Sequence, residues 1–416
     1  MGLVSELELP AFDYTEPSMR GERFHEEMVA LHERGWLAQT PYGYMVLDRE
    51  SAEFFLRTKA AIFPGMKIAE IFGVTEGPLF EQMKHNILQV NGADHARLRG
   101  LINPALSPRA VERYRPAMRE FLEGLLEAAS AGGGDGATVS CEFVEAFAKP
   151  YPSQVIAEVM GAPLEDAPRL HHWSNWIQRQ FDAVSMATER EGIDQAVEEF
   201  YAYAQALLEA RRRTPGDDLI SKLIAAEEEG ERLSESECIN LVFNVLVGGV
   251  DTSQSQLAHT MRLLAEDGEQ WEALRRDPSL AAAAVEEGLR YEPITPFTAR
   301  ILTEDVVYRE VEFPEGSVMI VCAFTGNRDL DGDRSVEHFD ITAPERTAGG
   351  RPARPLTFGA GVHYCLGANL ARIELQEAIE FFARRVRGLQ LDGEPVFEGV
   401  GGIYGLAELP LTLTLQ

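Results

Sequence analysis

The segment Phe358-Gly-Ala-Gly-Val-His363-Tyr-Cys365-Leu-Gly367, running into Ala368-Asn-Leu-Ala-Arg372, constrains this chain more than any other. Its three glycines let the backbone approach something flat or bulky. The segment then presents one cysteine where a helix is expected to begin. Backbone N–H groups and the dipole at a helix start favour a thiolate and hydrogen-bond it. A sulfur so placed can act as a nucleophile or a metal ligand. Cys141, Cys238 and Cys322 lack such a setting and paired spacing, and read as small buried hydrophobes.

The 416 residues are 45% apolar, which supports a large core and excludes a disordered chain. Such a length allows roughly two or three domains, although large enzymes often fold as one unit. Against 38 basic side chains stand 67 acidic ones, a net charge of −29. That balance argues against nucleic acid and against an anionic membrane surface, since both need concentrated positive charge. The N-terminus has no basic patch followed by an apolar run, so no signal peptide is expected. No window approaches the ~20 apolar residues of a spanning helix, because the stretch from Leu241 ends at Asp251. Without a disulfide framework, a reducing cytoplasm is the expected location.

Amphipathic helical periodicity covers Ala110–Ala129, Gly192–Arg213, Glu235–Glu266 and Ala281–Tyr291. Strand signal is thin: Tyr44–Leu47, Val306–Tyr308, Ser317–Ala323 and Leu411–Leu415. The Gly-rich segment Ala131–Ala137 reads as a loop, and Asp329–Arg354 as irregular. The expected fold is mainly α with minor β sheets, one domain over residues 1–416.

Within the helical stretch 235–266, Gly248-Gly249-Val250-Asp251-Thr252 stands out. Two adjacent glycines cost about 1 kcal/mol each relative to alanine, so something packs on the backbone there or the helix opens. Thr252 follows Gly248 by four residues and shares its face. Glu287-Gly-Leu-Arg290 places a carboxylate and a guanidinium on one helical face. His95 and Arg99 also share a face, after Asp94 as the expected N-cap. Such a pair suits a carboxylate.

Phe-Gly-x-Gly-x-His-x-Cys-x-Gly resembles the haem-ligand loop of the cytochrome P450 family at every specified position, here residues 358–367. The other motifs follow in the family's order, so the resemblance covers most of the chain. It implies the P450 fold, haem b as cofactor, and Cys365 as the axial thiolate on iron, which favours O–O cleavage. It assigns Thr252 and Asp251 to oxygen activation, with Asp251 feeding protons from solvent. It casts His95, Arg99, Arg300 and His363 as partners of the haem propionates. Glu287 and Arg290 become a buried structural pair, completed by an arginine after Phe339-Asp340, with Arg346 the available one.

Motif order also marks substrate-facing stretches. Phe72, Leu79, Phe80, Val247, Gly248, Ile294, Phe297, Ile403 and Tyr404 suggest an apolar cavity. Asn244 interrupts an apolar run and either hydrogen-bonds a substrate oxygen or a neighbouring backbone carbonyl. The reaction implied is insertion of one atom of dioxygen into a C–H bond of a terpenoid, steroid, fatty acid or polyketide. Electrons would come from NAD(P)H through a separate ferredoxin and reductase, docking near Arg351, Arg354 and Arg372. A peroxide-using or isomerising haem-thiolate enzyme, and a haem sensor or carrier, are the alternatives.

Overall fold

Helices with one apolar stripe build most of the molecule, seen here as a computed structural model that describes residues 2–131, 137–228, 233–331 and 336–416. In Arg190–Arg213, Ile193, Val197, Phe200, Ala204, Leu207 and Leu208 are buried at three- and four-residue spacing. Six helices matter for the site: α1 (Gly92–Ile102), α2 (Ala167–Gln178), α3 (Glu235–Gly249), α4 (Asp251–Glu266), α5 (Ala281–Tyr291) and α6 (Ala368–Arg385). Ser234 and Glu237 form a capping box that fixes where α3 begins. Asn91, not Asp94, occupies the N-cap position of α1, and Asp94 lies in its first turn.

The stretch expected as one helix over 235–266 is two. Val250, with φ −88° and ψ −74°, separates α3 from α4. The two glycines before the break have different reasons to be there. A Cβ at Gly249 would stand 2.4 Å from Ile156 Cδ1, whereas a Cβ at Gly248 would meet nothing within 4 Å. Close packing explains the first and open space beside the helix the second. Thr252 Oγ1 donates to Gly248 O at 2.6 Å across the break.

Five strands, β1 (Leu37–Thr40), β2 (Gly43–Val46), β3 (Ala61–Ile62), β4 (Phe297–Leu302) and β5 (Val318–Cys322), form a sheet in the order β1-β2-β5-β4-β3. Only the β2–β5 pair is parallel. β4, which carries Arg300, was not legible in the sequence: it follows Pro296 and lacks a clean buried–exposed alternation. Thr138–Glu142, Val386–Leu391 and Pro410–Leu415 make a second antiparallel sheet. The whole is one large, 58% helical domain. The Gly-rich loop expected at Ala131–Ala137 lies largely outside the described residues.

Candidate active site

Two 3₁₀ turns flanked by glycines lead to the cysteine. Gly359 (φ +67°) and Gly361 (φ +73°) take backbone conformations that disfavour side chains, and a Cβ at Gly361 would come 2.4 Å from Leu56 O. Cys365 N donates to Phe358 O at 2.9 Å, which closes the loop just before α6. Burial pushes the Cys365 thiol above its ordinary range, against the backbone of Gly367, Arg99, Arg372 and the backbone of Ala368. Burial thus works against the thiolate that the helix start favours. A cation bound at the sulfur would reverse that balance.

Cys365 lines a cavity of about 470 Å³ together with Gly248, Gly249, Thr252, His95, Arg99, Arg300 and His363. Residues from four distant parts of the chain thus meet around one cavity. The His95 and His363 rings lie 4.3 Å apart. His363 Nε2 sits 3.1 Å from Asn91 Oδ1. Burial lowers the pKa of both imidazoles, with the charge of Arg99 adding to it at His95, and His363 falls to about 3. Arg99 Nη1 donates to Tyr364 O at 2.7 Å, and Arg300 Nη1 to Ala299 O at 2.8 Å. Among the described residues no carboxylate pairs with either arginine. Burial alone drops Arg300 to about 10.

That arrangement answers whether haem fits. Arg300, buried, and Arg99, half-buried, have no protein carboxylate among the described residues and call for an anionic ligand, as haem propionates would be. The half-buried Cys365 on the cavity wall and the open space at Gly248 suit an iron porphyrin. Among the described residues no cluster of His, Cys, Asp and Glu could hold a metal by itself. Arg97 points away and pairs with Glu237.

Asp251 opens α4 next to Thr252. It is buried, and Ser174 Oγ on α2 donates to its Oδ2 while Asn175 Nδ2 lies 3.4 Å from Oδ1. Burial raises its pKa, opposed by Ser174, His171 and Asn175. Glu374 on α6 went unnoticed in the sequence. It lines the main cavity, accepts from Ser253 Oγ at 2.9 Å, and burial pushes its carboxyl up to about 8. The available signal was an acid among Leu370, Ile373, Leu375 and Ala378 on the buried stripe of α6.

Phe72, Asn244, Val247, Ile294, Phe297 and Ile403 all line the cavity. Tyr404 does not: it is fully buried behind Ile403, its hydroxyl accepts from Gly21 N at 3.0 Å, and its ring meets His259. Leu79 is buried helical core, and Phe80 packs under Lys84 rather than in the cavity. Asn244 Nδ2 donates to Asn240 O at 2.7 Å, so the backbone bond is made even though the residue faces the cavity. Arg372 is committed to Glu286 at 2.5 Å and stacks on Phe358, whereas Arg351 and Arg354, which precede the loop, are exposed.

Glu287 gathers more than its helical partner. Arg290 binds it through two nitrogens at 2.8 Å each, Arg346 adds a third contact, and Asp340 N donates at 3.0 Å. Arg346 therefore completes the set that the sequence left open.

A family model described as Cytochrome P450 matches residues 20–385. Luteothin monooxygenase from Streptomyces thioluteus is 33% identical over 408 residues, 97% of this chain and 96% of that one. The polyketide biosynthesis cytochrome P450 PksS of Bacillus subtilis (strain 168) is 32% identical over 338 residues, 79% of this chain and 78% of that one. The crystal structure of CalO2 superposes with a TM-score of 0.87 at 29% identity, covering 98% of this chain and 99% of that one. With a cysteine loop, a broken glycine helix and unpaired guanidiniums around one cavity, and with these likenesses along nearly its whole length, the chain belongs to the cytochrome P450 family, whose cofactor is haem b.

Proposed function

We propose that this protein is a monooxygenase that places one atom of dioxygen into a C–H bond of an apolar polyketide-type molecule, with electrons from NAD(P)H arriving through a separate ferredoxin and reductase. The observation that carries the reading is the single cavity shared by Cys365, Gly248 and Thr252, with Asp251 buried immediately behind. Cys365 would hold the haem iron, and Arg99 and Arg300, with His95 and His363, its propionates. Haem b, when bound, supplies the activation of dioxygen.

The chain's own residues do the rest. Thr252 Oγ1 is anchored to Gly248 O, which orients the hydroxyl at the helix break. Asp251, held by Ser174, keeps its proton to higher pH than an ordinary aspartate and can pass it inward on demand. Phe72, Val247, Ile294, Phe297 and Ile403 exclude water and hold an apolar substrate. Asn244 spends its N–H on Asn240 O, which leaves its amide oxygen to accept from a substrate hydroxyl. The polyketide class is supported by the name of the Bacillus relative, and an apolar substrate by the apolar side chains along the cavity wall. Arg351 and Arg354 would steer an acidic ferredoxin to the face near Cys365.

Optical titration of the ferric protein with macrolide polyketides, steroids, terpenes, fatty acids and aromatic acids tests the substrate class. Polyketides should give a saturable low-to-high-spin shift, and a shift from another class alone would overturn that part. With a responding ligand, Thr252→Ala should lower product formed per NADH roughly tenfold or more, the scale of lost proton-transfer assistance. Full coupling in that variant would instead favour a peroxide-using or rearranging enzyme.

A further inference from the structure

Asp251 also lines a second cavity, polar and about 400 Å³ in volume, on the other side of the residues that wall the substrate space. Gln178, Gly401, Gly402 and Ile403 belong to both cavities and form the partition. Glu398 lies at the solvent-exposed end of the polar cavity, and Asp251 is buried within it. Two carboxyl groups thus share one water-accessible space, one in touch with solvent and one not.

The placement of Glu398 is built by its neighbours. Its backbone N–H donates to Gly405 O at 3.0 Å. A Cβ at Gly405 would stand 2.5 Å from Glu398 Oε2 and 2.9 Å from Ser255 Oγ, so the glycine makes room for the carboxylate beside Ser255. Ser255 follows Asp251 by one helical turn and lines the same cavity. We propose that Glu398 is the outer proton donor of this enzyme: it takes a proton from solvent and passes it through the polar cavity, along the Ser255 face of α4, to the carboxylate of Asp251. Each transfer leaves Glu398 ionised until solvent returns one proton, so the charge in the cavity is restored every cycle. Glu398 acts through Asp251 and is a positioning residue; the inference rests on the proton-supply role given to Asp251 above.

The surrounding charges are compatible with such a relay. The protein packed around Glu398, and then the charge of Asp251, push its carboxyl above the ordinary range, while Lys149 and Arg179 pull it back. Asp182, Glu16 and Arg20 line the rest of the cavity. His171, bound to Gln254 Oε1 at 3.0 Å, favours the ionised form of Asp251. Two carboxyls that feel one another titrate as a pair, so removing either lowers the pH at which the other ionises.

The test uses the haem-loaded full chain. Infrared difference spectra across pH follow the carboxylic-acid bands, and dioxygen consumption driven by NADH through a surrogate ferredoxin and reductase is measured in water and deuterium oxide. In Glu398→Gln the Asp251 band should titrate at lower pH, the rate should fall roughly tenfold, and the solvent isotope effect should rise; Glu398→Asp should restore most of the rate. Gly405→Ala, which keeps every charge but displaces the Glu398 carboxylate, should act in the same direction and serves if the first variant folds poorly. If Asp251→Asn changes rate and isotope effect while Glu398→Gln and Gly405→Ala change neither, Glu398 is not in the route. If Asp251→Asn itself changes neither, the role of Asp251 fails and this inference with it.

Discussion

Removing the Glu287 carboxylate should weaken the cysteine loop without touching the cavity. Glu287 and Arg290 are each 6% exposed, and Arg346 is buried beside them. Glu287→Met leaves two buried guanidiniums without their anion. Breaking a buried ion pair from one side costs about 3–5 kcal/mol. Unfolding entropy near 2.1 cal/mol/K per residue, for a chain of 416 residues unfolding as one unit, converts that to a Tm loss of about 3–6 °C. The effect should reach the cofactor because α5 is tied to the loop. Thr357 Oγ1 donates to Leu289 O at 2.5 Å, and Asn327 joins Arg290 O at 3.2 Å to Leu356 N at 2.6 Å. Thermal unfolding by circular dichroism, with haem transfer to apomyoglobin followed in parallel, measures both consequences. The triple replacement of Glu287, Arg290 and Arg346 by Met should recover much of the stability, since apolar groups of similar volume often substitute for a buried ion set. A Glu287→Met protein within about 1 kcal/mol of the parent, or a triple variant worse than the single one, would refute the reasoning.

Cys365→Ser should abolish the thiolate signature of the reduced carbon monoxide spectrum while leaving the circular dichroism intact; survival of the signature would remove the axial assignment. Arg300→Leu should stabilise the haem-free chain by about 1 kcal/mol or more, since it removes a buried cation with no carboxylate partner, yet speed haem loss; denaturant melts and haem transfer check the opposed signs. Gly249→Ala should cost about 1–3 kcal/mol through overlap with Ile156 Cδ1, and adding Ile156→Val, which deletes that atom, should recover most of it in urea melts. Glu374 is protonated in the folded state up to about pH 8 but ionised in the unfolded chain above its ordinary value of 4.5. Folding therefore takes up a proton between those pH values, and stability should fall by up to about 1.4 kcal/mol per pH unit as pH rises through that window. Glu374→Gln should flatten that slope in denaturant melts of the haem-free protein.

Much of the site was legible because its signals are local. The loop at 358–367, Gly248 to Thr252, and Glu287 with Arg290 each sit within a few residues, where spacing reports a shared face or a tight turn. The same locality explains the misses. One continuous helix over 235–266 was expected, although the apolar run from Leu241 stops at Asp251 and polar residues follow to Gln256, where the structure places the break. Tyr404 was placed in the cavity beside Ile403, though its hydroxyl and ring are taken up by Gly21 and His259 from distant segments. Arg372 looked like surface charge until its partner, Glu286, arrived from another helix.

By itself, the sequence determined the family, the cysteine loop and the short motifs around Thr252, Glu287 and His95, because each is a pattern in short-range order. Only the tertiary structure decided which groups are electrically perturbed and which face water. Ser174 meets Asp251 across 77 residues, and Ser253 meets Glu374 across 121. Desolvation is a property of everything packed around a group, so a raised carboxyl such as Glu374, an unpaired Arg300, or a polar cavity with Asp251 inside and Glu398 at its mouth exists only once distant segments have closed together.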